Sequence, residues 1–300
     1  MTKYQRSAAI LLVLVTAVAA SAGLSAQSLE RAVFVTVLDR EGGRVTGLGP
    51  ADFVVKEDNV TREILRVEPA SDPMQMAILV DNSARAEGYI RELRESLPAL
   101  VRGVAEDPNV KGRHQFSVIT LGARPTIASD YNPDSAVAIK ALQSIFAENF
   151  SGAYLLDGLI EVSRGMQKRQ YTRPVIVAIV TDGADLSNRY RDQVLDPLEE
   201  SGAAFHAIVI GPQQNTSTER SIVLQRGTRE SGGSYDTLLA ISGLTNRMTR
   251  LATELTSQYR VTYARPSTLI PPEGLEVTSS RPGVTVRATP VRGQEPAGRR

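Results

Sequence analysis

The 300-residue chain contains no cysteine and no tryptophan, and aromatic residues make up only 5% of it. Without cysteine there can be no disulfide, no thiolate metal ligand and no lipid-modified cysteine. Because aromatic side chains are few, a hydrophobic core has to rest on aliphatic residues, and hydrophobic residues supply 42% of the chain. The length allows one large domain with appendages or two ordinary domains.

Signals for catalysis and for nucleic-acid binding are also missing. The formal net charge is +1, which gives no basic field that would attract nucleic acid. The two histidines, His114 and His206, lie at the start of an apolar stretch and inside one, which favours packing roles. No Walker-type loop or nucleophile elbow is present, and no motif assembles Ser, His and Asp. We therefore predict no enzymatic activity and no small-molecule cofactor, and a hydrolase is the least favoured hypothesis.

The N-terminus has the three parts of a secretory signal. Lys3 and Arg6 precede an apolar run over residues 8–20, and small residues follow. This pattern predicts export to the periplasm or the exterior, with cleavage after Ala22 or Ala26. The alternative is retention as an uncleaved anchor, although the run is short for a bilayer.

From residue 74 the chain alternates short apolar strands with amphipathic helical segments. Continuous apolar runs of strand length occur at 76–80, 116–121, 175–180 and 203–210. Such runs between helices predict an α/β fold with a doubly wound, mostly parallel sheet that is covered on both faces. Ligands of these folds bind beyond the carboxyl ends of the strands, where Asp81 and Asp182 are found.

The segments on either side of this unit have β character. Each is too small to be stable alone, so we expect the two to pack together. The C-terminal segment predicts a hairpin around Arg281-Pro282-Gly283. The predicted organisation is a signal peptide at 1–26, a β unit at 28–70, the α/β domain at 74–263, a β hairpin at 264–289 and a disordered tail at 290–300.

Three segments of the α/β unit resemble the signature loops of von Willebrand factor A domains. Asp81-Asn82-Ser83 is similar to the D-x-S-x-S sequence of that family's metal-ion-dependent adhesion site. Ser151–Leu159 resembles the middle loop, G-T-x-L-x-D-A-L, and Thr181-Asp182-Gly183 resembles the T-D-G loop. The resemblance spans residues 74–263. The flanks are similar to those of a bacterial subfamily of exported proteins that is best known from acidobacteria.

The resemblance implies a degenerate metal site. In the family, two Ser hydroxyls and the Thr ligate Mg²⁺ directly, the Asp residues act through water, and a partner's acidic side chain completes the octahedron. This chain keeps Asp81, Ser83 and Asp182, but Arg85 replaces the second Ser and Ala153 replaces the Thr. We therefore expect weak Mg²⁺ binding or none. A purely structural alternative is that the Asp residues cap helices.

Arg85 also suggests a second use of the site. A guanidinium could pair with Asp81 or Asp182 and offer a fork to a partner's carboxylate without any metal. The other candidates for partner contact are the neighbouring residues Asn82, Ala153, Tyr154 and Asp185.

The sequence thus favours an exported protein-binding module of the adhesion or assembly type. Its partner is an unidentified protein, which would bind through an acidic side chain. The alternative is a structural component of the cell envelope in which the β flanks carry the interaction.

Overall fold

The computed structural model describes residues 28–110, 112–212, 217–267, 272 and 274–290. The predicted signal peptide lies outside the described residues, as does the predicted tail beyond its first residue. Within the described residues, no helix is both long and apolar enough to cross a membrane.

The described chain alternates strands and helices over most of its length. The strands are β1 (Ser28–Leu38), β2 (Phe53–Glu57), β3 (Val60–Arg62), β4 (Ile64–Pro69), β5 (Met74–Val80), β6 (Gln115–Thr120), β7 (Thr126–Asn132), β8 (Arg173–Thr181), β9 (Ala204–Ile210), β10 (Tyr235–Leu238), β11 (Tyr259–Pro266), β12 (Leu275–Ser279) and β13 (Thr285–Pro290). The helices are α1 (Ile90–Ala105), α2 (Ser135–Gln143), α3 (Leu155–Arg169), α4 (Arg191–Ser201), α5 (Glu219–Ile222), α6 (Thr228–Glu230) and α7 (Leu244–Thr256). A π-helical segment, Val223–Gly227, joins α5 to α6.

The central sheet has the strand order β10-β9-β8-β5-β6-β7, and β7 alone runs antiparallel to its neighbour. Successive side chains of a strand point to opposite faces, so β5 feeds two cores. Met76 and Ile78 pack with α1, α2 and α7 on one face, while Ala77 and Leu79 pack with α3 and α4 on the other. This arrangement confirms the predicted doubly wound, mostly parallel α/β fold.

The two flanks form a small β-sandwich. One sheet has the order β13-β1-β11-β4 and the other the order β12-β2-β3. Alternate side chains of β1, namely Val33, Val35 and Val37, pack between the sheets against Phe53 and Val55 of β2. The N-terminal and C-terminal flanks therefore pair with each other, as the sequence led us to expect.

The predicted C-terminal hairpin is wrong. β12 pairs antiparallel with β2, whereas β13 pairs antiparallel with β1, so the two strands lie in different sheets. The chain crosses from one sheet to the other over residues 280–284, because each strand finds a partner in the N-terminal flank. β11, whose first half the sequence placed in the α/β unit, also pairs with β1 and β4.

Candidate functional site

Two buried aspartates lie side by side at the carboxyl edge of the central sheet. Asp81 directly follows β5 and Asp182 directly follows β8, and these are neighbouring parallel strands. The exposed fractions of the two residues are 1% and 3%. The topology therefore brings together the two acidic residues that the sequence analysis selected.

Both carboxylate oxygens of Asp81 accept hydrogen bonds from the protein. Oδ1 accepts from the backbone N–H of Ser83 at 2.9 Å. Oδ2 accepts from the backbone N–H of Thr181 at 3.0 Å and from its hydroxyl at 2.6 Å. Asp81 thus ties the two signature loops together and orders the backbone around Ser83.

Arg85 forms a bidentate ion pair with Asp182. Its Nε donates to Oδ1 at 2.8 Å, and its Nη2 donates to Oδ2 at 2.9 Å. The salt bridge predicted from the sequence is therefore present, with Asp182 as the partner. The hydrogen bond and the charge of Asp182 raise the pKa of Arg85 above its usual value. The guanidinium end remains accessible, because 57% of the Arg85 side chain is exposed.

Two glycines, which have no side chain, leave the space that this ion pair occupies. A Cβ on Gly183 would lie 3.0 Å from Cγ of Arg85, so the aliphatic stem of Arg85 lies directly over Gly183. Gly211 has a φ of +114°, and a Cβ there would lie 2.7 Å from Cγ of Asp182. Neither glycine could carry a side chain without moving the ion pair.

A second arginine at the site was missed by sequence reasoning. Arg220, in α5, is largely buried and its Nη2 donates to the carbonyl oxygen of Thr181. Burial lowers the pKa of Arg220, whereas the negative charges of Asp185, Asp81 and Asp182 act in the opposite direction. Arg220 belongs to none of the three signature segments, and only the tertiary fold reveals its position.

The middle loop contributes backbone rather than a hydroxyl group. Ala153 is 3% exposed and forms backbone bridges with Gly122 and Asp185. The Oδ2 of Asp185 accepts from the backbone N–H groups of Leu155 and Leu156, at 2.7 and 3.4 Å. Asp185 therefore caps the start of α3, and burial raises the pKa of its carboxyl.

Asn82 and Tyr154 also hold neighbouring loops. The side-chain amide of Asn82 accepts from Gly122 N at 2.7 Å and donates to the carbonyl oxygen of Phe146 at 3.0 Å. Asn82 is only 3% exposed. Tyr154 donates its backbone N–H to Leu121 O at 2.9 Å, and its side chain is half-buried. Of the predicted partner-binding residues, Arg85 is the one with a largely exposed charged group.

The side chains at this site do not suit a magnesium ion as ligands. The residues that would supply direct hydroxyl ligands are Arg85 and Ala153, so Ser83 alone keeps that chemistry. Both oxygens of Asp182 are engaged by a guanidinium, and the positive charge of Arg220 lies nearby. The positive charges of Arg85 and Arg220 would oppose the attraction of the Asp81 and Asp182 carboxylates for a divalent cation placed here.

Comparison with known proteins yields structural similarity only. No family model and no curated protein matches the chain. The von Willebrand factor type A protein from Catenulispora acidiphila superposes with a TM-score of 0.51 at 10% identity, over 89% of this chain and 74% of that one.

Two further structures align less well. Proximal thread matrix protein 1 from the mussel byssus has a TM-score of 0.49 at 18% identity, over 67% of this chain. The alignment spans about half of the mussel protein, 49% of its length. The vWF domain of the type V pili tip protein Mfa5 from Porphyromonas gingivalis has a TM-score of 0.46 at 10% identity, over 62% of this chain and 96% of that one.

Proposed function

We propose that this chain, which has the von Willebrand factor A fold, is an exported module that binds a protein partner without a metal ion. In this proposal the Arg85 guanidinium, held by Asp182, is the fixed positive charge that receives an acidic side chain of the partner. The signal-like N-terminus supports export, and the assignment to the acidobacterial-type subfamily stays a prediction.

The single observation that carries the proposal is the Arg85–Asp182 fork. The fork uses Nε and one Nη2 proton, and Nη1 of Arg85 donates to no acceptor within the described part of the chain. A guanidinium keeps its charge at any physiological pH and binds carboxylates with two parallel hydrogen bonds. Asp182 fixes the orientation of the group, so less side-chain entropy is lost when a partner binds.

The proposal is tested by capturing partners from envelope extracts in the presence of EDTA with the full-length protein as bait. We expect a partner that is lost with Arg85→Gln and kept with the control variant Arg66→Gln. Arg66 is a matched control because 58% of its side chain is exposed and it donates to Glu30 at 2.8 Å, but it lies on β4 in the sandwich. A partner that needs added Mg²⁺, or one that both variants retain, contradicts the proposal.

The same experiment addresses the alternative that the β flanks carry the interaction. Deleting residues 28–70 would be uninformative, because β1 lies between β11 and β13 and its loss would unfold the sandwich. Surface variants are better suited. Loss of the partner with Val60→Asn, at a 53% exposed position of β3, would favour the flanks.

A further inference from the structure

Large apolar side chains are exposed on the two loops that border the Arg85–Asp182 ion pair. Phe146 is 61% exposed, Leu186 is 53% exposed and Phe150 is fully exposed at 104%. We call these three residues the apolar rim. A single exposed apolar residue needs no explanation, but three on two adjoining loops do.

Backbone contacts place the rim at the Arg85 site. The N–H of Ala84, the residue before Arg85, donates to the carbonyl oxygen of Ser151, the residue after Phe150. Asn82 binds the carbonyl oxygen of Phe146.

Leu186 belongs to the loop that follows Asp182, and its side chain lies against Gly152 of the Phe150 loop. A Cβ on Gly152 would come within 2.3 Å of Leu186 Cδ1. The rim therefore extends over both loops that border the ion pair.

Phe150 is the most informative member of the rim. Its φ is +62°, in the left-handed region that bulky residues rarely adopt. A strained backbone conformation often marks a functional site. The exposed ring of Phe150 adds no packing that would stabilise the fold. An aromatic ring that is exposed in the free protein can bury its surface in a partner and act as a binding anchor.

The geometry points to a docking surface, made of Arg85 and the apolar rim, for a protein segment in which an Asp or Glu adjoins an aromatic or branched apolar side chain. This inference rests on the proposed function and specifies the partner's chemistry. The carboxylate would pair with the free side of the Arg85 guanidinium, while the apolar neighbour would cover Phe150 and Leu186. Such a surface combines a charged anchor with apolar burial, which is typical of protein-binding sites.

The test is selection of random linear peptides displayed on phage against the full-length protein in EDTA. We expect the enriched peptides to share an acidic residue next to an aromatic or branched apolar residue. Synthetic peptides of the enriched sequence should bind Phe150→Gly and Arg85→Gln about tenfold more weakly than the natural protein, or weaker still. Binding should be unchanged in Val60→Asn and Arg66→Gln, which alter an exposed apolar residue and an exposed paired arginine on the sandwich.

The outcomes separate the inference from the proposed function. Peptides that bind through Arg85 but tolerate Phe150→Gly would overturn the inference and leave the proposed function standing. Peptides that tolerate Arg85→Gln as well would contradict both. So would peptides that are enriched only when the selection is repeated with Mg²⁺ in place of EDTA. Absence of any enriched sequence, or a self-association in sedimentation that Phe150→Gly abolishes, would overturn the inference because the occupant would not be an acidic segment of a partner.

Discussion

At the scale of single residues, two arginines lie beside the carboxylates that would face a metal ion in the site implied by the resemblance. Arg85 is covalently part of the chain and is held by Asp182, and the buried Arg220 lies near the same carboxylates. Guanidinium groups stabilise neighbouring carboxylates as a metal ion would, but unlike a metal ion they cannot dissociate from the protein. The partner binding that we propose should therefore be insensitive to chelators.

Restoring the missing hydroxyls should restore metal binding only in part. The double variant Arg85→Ser/Ala153→Thr regains two hydroxyl ligands, but the positive charge of Arg220 remains near Asp81 and Asp182. We expect the natural protein to show no Mg²⁺ binding by titration calorimetry, the double variant to bind weakly, and the triple variant with Arg220→Gln to bind more tightly. Circular dichroism of each variant serves as the folding control. Tight Mg²⁺ binding by the natural chain would show that one hydroxyl and water suffice.

The positive φ of Phe150 leads to a prediction about stability that is separate from binding. Glycine adopts positive φ without strain, so Phe150→Gly should raise the free energy of unfolding by about 1 kcal/mol. Phe150→Ala removes the same ring but keeps a Cβ in the left-handed region, and it should leave stability nearly unchanged. Urea denaturation of both variants makes the comparison. Equal stabilities for the Gly and Ala variants would contradict the strain argument.

At the scale of elements, periodicity located the central sheet well. The apolar runs at 76–80, 116–121, 175–180 and 203–210 fall on β5, β6, β8 and β9, because a strand buried on both faces has few polar positions. The partners of β12 and β13 could not be read in the same way. Their pairing is decided by contacts with β2 and β1, more than 200 residues away, and short half-exposed strands carry little sequence information about such partners.

The candidate site was predictable to the extent that its residues lie in motifs. Asp81, Ser83, Arg85 and Asp182 end or follow apolar strands, so their positions followed from topology. Arg220 was not predictable, because one arginine in an amphipathic segment looks like any solvated residue. Its burial beside Thr181 depends on how α5 packs over the sheet edge.

The starts of β5 and β6 are joined by a buried histidine that should make stability depend on pH. Nδ1 of His114 accepts a hydrogen bond from Met74 N at 2.9 Å, which requires that nitrogen to be unprotonated. Burial, aided by the positive charge of Arg173, lowers the pKa of His114 from 6.5 to about 4. The folded state thus resists protonation that the unfolded chain accepts.

The contribution of neutral His114 to the free energy of unfolding should consequently be fully present above pH 6.5. The free energy of unfolding should fall as the pH drops from 6.5 towards 4. His114→Asn keeps an acceptor near the position of Nδ1 but does not titrate, so its stability should fall less over this range. Urea denaturation at several pH values gives both slopes, and the difference between them isolates His114 from the carboxylates. Parallel slopes for the two proteins would rule out this assignment.

At the scale of the whole molecule, the sandwich and the α/β unit meet around one buried arginine. Arg173, the first residue of β8, is 2% exposed and donates to Gln258 Oε1 at 2.8 Å and to Leu255 O at 2.6 Å. Its guanidinium carbon lies 5.0 Å from the ring centre of Phe34 on β1. The Gln258 side chain in turn donates to Thr36 Oγ1 at 2.9 Å. These contacts link the central sheet, the end of α7 and the sandwich.

Because Arg173 serves both units, its loss should weaken the molecule as a whole. Arg173→Met keeps most of the volume but leaves Leu255 O and Gln258 Oε1 without their buried donor, and unsatisfied buried acceptors cost about 1–3 kcal/mol each. We expect the free energy of unfolding to fall by about 3 kcal/mol in a single transition. Arg260→Met is the matched control, because Arg260 pairs with Asp72 at 2.7 Å at the same junction. The Arg260 side chain is 28% exposed, and a partly exposed ion pair of this kind contributes about 1 kcal/mol or less to the free energy of unfolding. If urea denaturation gave similar losses for the two variants, or two separate transitions for the natural protein, the sandwich and the α/β unit would not be coupled through Arg173.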